Sequence, residues 1–114
     1  MKTAEEIKVE LVQCIGTQHY YKHWTGFFNY TDGVKILAEF AECHWLIDAI
    51  ASYRRIEPFQ VWELQVNKKS AVLTMKEDSG LPVVVKQEIE YTDFPLDNMT
   101  LWLIEGVLIL PSEY

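Results

Sequence analysis

Apolar positions recur along this chain at two different periods. Ile7, Leu11, Cys14 and Ile15 lie three to four residues apart, as do Val34, Leu37, Ala38 and Ala41, and then Trp45, Leu46, Ala49, Ile50 and Tyr53. That spacing winds a stripe along one face of an α-helix. From residue 59 onward the period drops to two. Trp62, Leu64 and Val66 share a face with Gln60, and Ala71, Leu73 and Met75 alternate with Val72, Thr74 and Lys76. Val83, Val85, Ile89 and Tyr91 alternate with Lys86, Glu88, Glu90 and Thr92. Period-two alternation marks strands with one face buried and one face in water.

Local signals place the element ends. Thr3 followed by Glu6 is a capping box that starts a helix over residues 4–15, with Gly16 as its stop. Residues 17–30 have no period and predict a loop with a short turn or strand. Thr31 or Asp32 can cap a second helix. No glycine or proline separates the two apolar clusters that follow, but ordinary helix lengths favour two helices over one long one. Pro58 ends the helical half. Asn67-Lys68-Lys69 and Asp78-Ser79-Gly80 are turns, and residues 99–110 suit either a final hairpin about Glu105-Gly106 or one bulged strand. Runs of helix followed by runs of strand predict one α+β domain over residues 1–114. Two to three N-terminal helices would pack on one face of a four- to five-stranded, mainly antiparallel C-terminal sheet. Leu64, Leu73, Val83, Val85, Ile89, Leu101 and Leu103 are its expected apolar face.

Charge changes the picture next. The chain has 114 residues and a net charge of −7. Residues 78–114 carry seven acids against Lys86 alone, so most of the excess sits in the last third. Such a surface repels phosphate backbones and argues against nucleic-acid binding. It suits a basic protein partner, or simply a solvated sheet face. No stretch is apolar enough to span a bilayer and the N-terminus does not read as a signal peptide, so a cytoplasmic location with reduced thiols is expected.

Candidate chemistry is sparse. His19 and His23, with Cys14, Cys43 and His44, are residue types that zinc takes, but no paired CxxC is present and Gly16 and Gly26 break the helix that would align them. No metal and no cofactor is expected. His44 and Asp48 are one helical turn apart and suit a hydrogen bond, yet no nucleophile is placed beside them. There is no GxSxG, HExxH or phosphate-binding glycine loop. The triplet Tyr-Thr-Asp occurs twice, at Tyr30-Thr31-Asp32 and at Tyr91-Thr92-Asp93. Convergence of the two copies would form a polar pocket; otherwise each caps or turns its own segment. The aromatic segment His19, Tyr20, Tyr21, His23 and Trp24 is the strongest binding candidate, because stacked rings on an irregular segment suit a peptide, a ring or a base. With Tyr30, Asp32, Tyr91 and Asp93 it forms the candidate binding set.

Several stretches together look like one small family: His19-Tyr20-Tyr21, Tyr30-Thr31-Asp32-Gly33-Val34-Lys35, Trp45-Leu46-Ile47-Asp48-Ala49-Ile50-Ala51-Ser52, Phe59-Gln60-Val61-Trp62, Ile89-Glu90-Tyr91-Thr92-Asp93-Phe94-Pro95-Leu96 and Leu110-Pro111-Ser112-Glu113-Tyr114. The chain resembles uncharacterised proteins of bacteria, cyanobacteria, phages and plasmids, grouped as a domain of unknown function. The resemblance covers nearly the whole chain and brings no activity with it. It implies a small cytosolic protein carried on mobile DNA. Where relatives tend to have a glycine between the two helices, this chain has Ala41-Glu42-Cys43. The leading expectation is a non-enzymatic protein-binding or accessory module, of the kind that serves mobile elements against host defence. The alternative is a small-molecule or nucleotide-binding domain, extending to weak hydrolysis. A homodimer through an exposed edge strand at residues 107–110 is a further expectation.

Overall fold

A computed structural model describes residues 3–13, 19–53, 58–78 and 80–114. Helix α1 spans Ala4–Val12, and the predicted capping box is present, with Thr3 accepting from the Glu6 N–H and Glu6 accepting from the Thr3 N–H. The predicted continuation through Cys14, Ile15 and Gly16 lies outside the described residues. Strands β1 (Tyr20–Lys22) and β2 (Asn29–Thr31) form a hairpin, followed by helices α2 (Asp32–Phe40) and α3 (His44–Ser52). Strands β3 (Phe59–Asn67), β4 (Ser70–Lys76), β5 (Val83–Ile89), β6 (Asn98–Ile104) and β7 (Val107–Ile109) come next. A short 3-10 helix, Pro111–Glu113, closes the described chain.

The architecture is α+β, with a seven-stranded sheet in the order β1-β2-β7-β6-β3-β4-β5. The expected four or five strands undercount it, because the aromatic segment forms a hairpin that joins the sheet. Only the β2–β7 pair is parallel. That junction also corrects the edge-strand expectation: β7 lies between β2 and β6, and Leu108 is fully buried. Of the two forms expected for residues 99–110 the hairpin is present, Glu105 and Gly106 both having positive φ (48° and 83°), as a two-residue turn of the favoured twist requires.

The break between α2 and α3 has a clear physical form. Ala41 is the C-cap, Glu42 takes a left-handed φ of 51°, and the Cys43 N–H reaches back to the Ala38 carbonyl at 2.9 Å. This is a Schellman stop with glutamate in the position that glycine usually occupies. The buried Cys43 thiol then seals the corner. Desolvation pushes its pKa up to about 12, so it is held as an unreactive thiol.

The helices cover one face of the sheet. Ile7, Val34, Leu37, Leu46, Ile47 and Ile50 pack against Trp62, Leu64, Leu73, Met75, Leu101 and Leu103. One member of the expected apolar face is wrong. A register shift between Met75 and Lys76 moves Val83 out of phase, and its side chain is exposed, while Val85 is buried. Beyond β5 the alternation also inverts, leaving Tyr91 exposed and Thr92 buried. On the opposite face, Trp102 makes edge-on contacts with Phe59 and with Tyr114 near the chain's end.

Candidate functional site

The aromatic segment is shaped by its own backbone. The His23 N–H bonds the Phe28 carbonyl at 3.0 Å, closing the β1–β2 hairpin over a four-residue tip, Trp24 to Phe27. The Gly26 N–H bonds back to the His23 carbonyl at 2.8 Å, and Gly26 carries the positive φ (76°) that the tip needs. Alternation along β1 then sends His19, Tyr21 and His23 towards the helices, and Tyr20 away from them.

His23 is the anchor of this tip. The residue is 4% exposed, and its ring packs against Phe28 with centroids 5.2 Å apart. Nε2 lies 2.7 Å from Oδ1 of Asp48, and Nδ1 lies 2.8 Å from Oγ1 of Thr25. The Thr25 N–H also points at Nδ1, at 3.2 Å, so Nδ1 is the acceptor and the neutral ring carries its proton on Nε2, donating to Asp48. The same Asp48 oxygen accepts from the Trp24 indole N–H at 2.9 Å. Partial burial of Asp48 raises its carboxyl pKa, but hydrogen bonds from Trp24 and His23, with the nearby imidazoles of His23 and His44, outweigh that and hold it below the ordinary range. Asp48 therefore stays an anion, 47% of its side chain in solvent.

Around this network lies a cavity of about 230 Å³ lined by Lys22, His23, Trp24, Tyr30, His44, Ile47 and Asp48. A larger hollow of about 500 Å³ runs between α1 and the start of β6, lined by Leu11, Val12, Leu96 and Met99 together with Lys8, Asp97, Asn98 and Ser112. Of these two the smaller is the better site candidate, because it joins the hydrogen-bonded His23 and Asp48 to the exposed face of Trp24.

Asp32 organises a second cluster one turn of chain away. Its Oδ1 accepts from the Tyr21 hydroxyl at 2.9 Å, its Oδ2 from the His19 backbone N–H at 3.3 Å, and His19 Nδ1 lies 3.8 Å from Oδ2. Tyr21 stacks on Tyr30 (5.7 Å), and Lys35 Nζ sits 4.6 Å from the Tyr21 ring centroid. The hydrogen bond to Asp32, ahead of desolvation and charge repulsion, raises the Tyr21 phenol pKa.

The structure thus brings His19, Tyr21, Tyr30 and Asp32 together, and places His23 and Trp24 on Asp48 beside them. Tyr20 is exposed on the hairpin's other side. Tyr91 and Asp93 do not join the set. They follow β5, and four strands separate β5 from β2. His19 and His23 likewise do not share a ligand site, since each faces its own aspartate. The expected His44–Asp48 hydrogen bond is replaced: Asp48 is bonded by His23, 25 residues away, and by Trp24, while His44 contributes through charge. Sequence reasoning gave Asp48 too little weight; the signal was a lone carboxylate within the otherwise apolar run Trp45 to Ala51.

Sequence reasoning also missed Glu113. Its Oε1 accepts from the Thr31 hydroxyl at 2.6 Å and from the Leu110 N–H at 2.9 Å, and its Oε2 accepts from the Gly33 N–H at 3.3 Å. A carboxylate there meets the positive end of the α2 dipole. Gly33 permits the approach: a Cβ would come within 2.6 Å of Leu110 Cδ1 and 2.7 Å of Glu113 Oε1.

Among the described residues no helix is long and apolar enough to cross a membrane. Comparison with curated proteins and with solved structures finds no match for this chain. A family model does match, over residues 5–114, and the chain belongs to that family, described as a family of unknown function (DUF6876).

Proposed function

We propose that this protein is a non-enzymatic binding module that takes a basic segment of a partner protein at the tip of the β1–β2 hairpin, and that it does so in the cytoplasm. One observation carries the reading: the Trp24 indole is 80% exposed while its N–H is tied to Asp48, which the buried His23 holds in turn. An exposed tryptophan already fixed in place loses little side-chain entropy on binding, and such residues dominate interface energetics. Its open face beside a carboxylate is the chemistry that recognises an arginine or lysine, through cation–π and charge contacts together. The net charge of −7 favours the approach of a basic partner to the molecule as a whole, most of the excess lying in residues 78–114 rather than at the tip. Accessory or anti-defence work for a mobile element is one setting in which such a module serves.

Cavity size and hydrogen bonding argue against catalysis at this point. A volume of about 230 Å³ falls below the roughly 300–1,000 Å³ of drug-sized ligand sites, and fits one side chain better than a nucleotide. His23 is buried and both its ring nitrogens are bonded within the fold, which supports a structural role for the ring. A second reading, a small-molecule site, rests on the contact between His19 and Asp32. Native mass spectrometry of protein purified without chelator would support it through added mass.

The test of the leading reading is selection from a random peptide display library on the immobilised protein. The expected peptides carry arginine or lysine, lose at least tenfold in affinity against Trp24→Ala and Asp48→Asn, and gain against Lys22→Ala, which removes a competing cation from the rim. Enrichment of acidic peptides, or of peptides that bind Trp24→Ala as well as the native chain, would overturn it.

A further inference from the structure

We infer that two copies of this chain pair edge to edge through β5, in an antiparallel register centred on Gln87. Strand β5 ends the sheet order. It pairs with β4 on one side, and no described strand pairs with its other side. It is seven residues long, and both Val83 and Val84 are exposed on it. The opposite edge, β1, is only three residues long. A long edge with unpaired backbone groups is a template for another strand unless something blocks it.

The sequence of β5 selects both the occupant and the register. Residues opposite one another in an antiparallel pair must share a face, so a two-fold pairing centres on a residue. Centring on Lys86 would place Lys86 against Lys86 of the second copy, and centring on Glu88 would oppose the two glutamates; like charges directly opposite are destabilising. Centring on Val85 leaves Lys86 against Val84. Centring on Gln87 sets Lys86 against Glu88 of the second copy, and Glu88 against its Lys86, on the open face of the sheet. On the helix-covered face the same register sets Val85 against Ile89 of the second copy, twice. Val85 is buried and Ile89 packs against the core, so this pairing carries the apolar layer across the junction. The central Gln87 is held from its own chain, its Oε1 accepting from the Tyr53 hydroxyl at 2.7 Å. A lone lysine on an edge strand normally discourages pairing; here Glu88, two residues on, supplies its complement in the second copy.

The pairing leaves the hairpin tips untouched. Each β1–β2 hairpin lies at the far end of its own sheet, so a dimer would present two Trp24 surfaces at opposite ends of one continuous sheet. The proposal does not depend on what those surfaces bind.

Sedimentation and native mass spectrometry, from micromolar to millimolar concentration, test it. The native chain is expected as a dimer. Lys86→Glu and Glu88→Lys are each expected to weaken it by about tenfold or more, since each reversal turns two attractive cross-strand pairs into repulsive ones. Both side chains are exposed, so circular dichroism should show each variant folded. Mixing the two variants, one of them tagged, restores opposite charges at both pairs and should yield the heterodimer in preference to either homodimer. A native chain that stays monomeric throughout, reversals that dimerise as tightly as the native chain, or a mixture with no heterodimer preference would each overturn the proposal.

Discussion

The two Tyr-Thr-Asp triplets contain the same three side chains and do different work. In both, the threonine is the buried member and its hydroxyl accepts from a backbone N–H: Val34 for Thr31, Phe94 for Thr92. There the likeness ends. Thr31 also donates to Glu113 at 2.6 Å, tying the start of α2 to a residue 82 positions later. Thr92 is held through its backbone N–H, 2.7 Å from the Lys69 carbonyl in the β3–β4 turn. Tyr30 stacks on Tyr21, whereas Tyr91 is 70% exposed. The triplet itself codes a local cap; what makes one copy a junction is the chain that arrives from elsewhere.

The largest effects should separate the two threonines. Thr31→Val leaves a helix start uncapped and a partly buried carboxylate without its hydroxyl donor, with an expected cost of about 2–4 kcal/mol. Thr92→Val removes one local bond and should cost about 0.5–1.5 kcal/mol. Urea denaturation of both variants measures the difference, and equal losses would mean that the Glu113 contact adds nothing. Next in size is Gly33→Ala. A methyl group there meets Leu110 and the Glu113 carboxylate, so the loss should be about 1–3 kcal/mol. Because those neighbours are side-chain ends, a loss near zero would show that Glu113 can swing away without harm. That outcome would weaken the junction as an explanation of Thr31.

These pairings also show what the sequence reveals and what it hides. Capping residues, helix stripes and the alternation of β3 and β4 are local codes, and each element they predict is present. The Glu105-Gly106 turn is legible for the same reason. Long-range partners leave no local trace. Nothing about Glu113 announces Thr31, and nothing about His23 announces Asp48. The hairpin of residues 20–31 was hidden because its strands are three residues each, too short to show a period. Val83 was misplaced because a one-residue register shift moves a side chain to a different environment without altering the alternation that is read. The aromatic segment stands out by composition, but the residue that holds its tip, Asp48, lies on a helix whose apolar neighbours make it look like a surface residue.

The smallest effects concern the two aspartates, and they are spectroscopic. Asp93 is exposed, and Asp93→Asn should leave stability unchanged within error. Asp32→Asn should do little more to stability, yet it should change how Tyr21 titrates. In the native chain the hydrogen bond to Asp32 keeps the phenol protonated above its ordinary value of 10.0. As pH rises past that value, the unfolded chain therefore loses the Tyr21 proton before the folded chain does. Stability then falls until the folded phenol ionises as well. Removing the Asp32 charge should bring the Tyr21 ionisation back towards its ordinary value and flatten this alkaline loss. Ultraviolet difference titration of the native chain, Asp32→Asn and Tyr21→Phe assigns the late-ionising phenol. If Asp93→Asn shifted the titration and Asp32→Asn did not, the second triplet would be the one holding a tyrosine, and the contrast between the copies would be reversed.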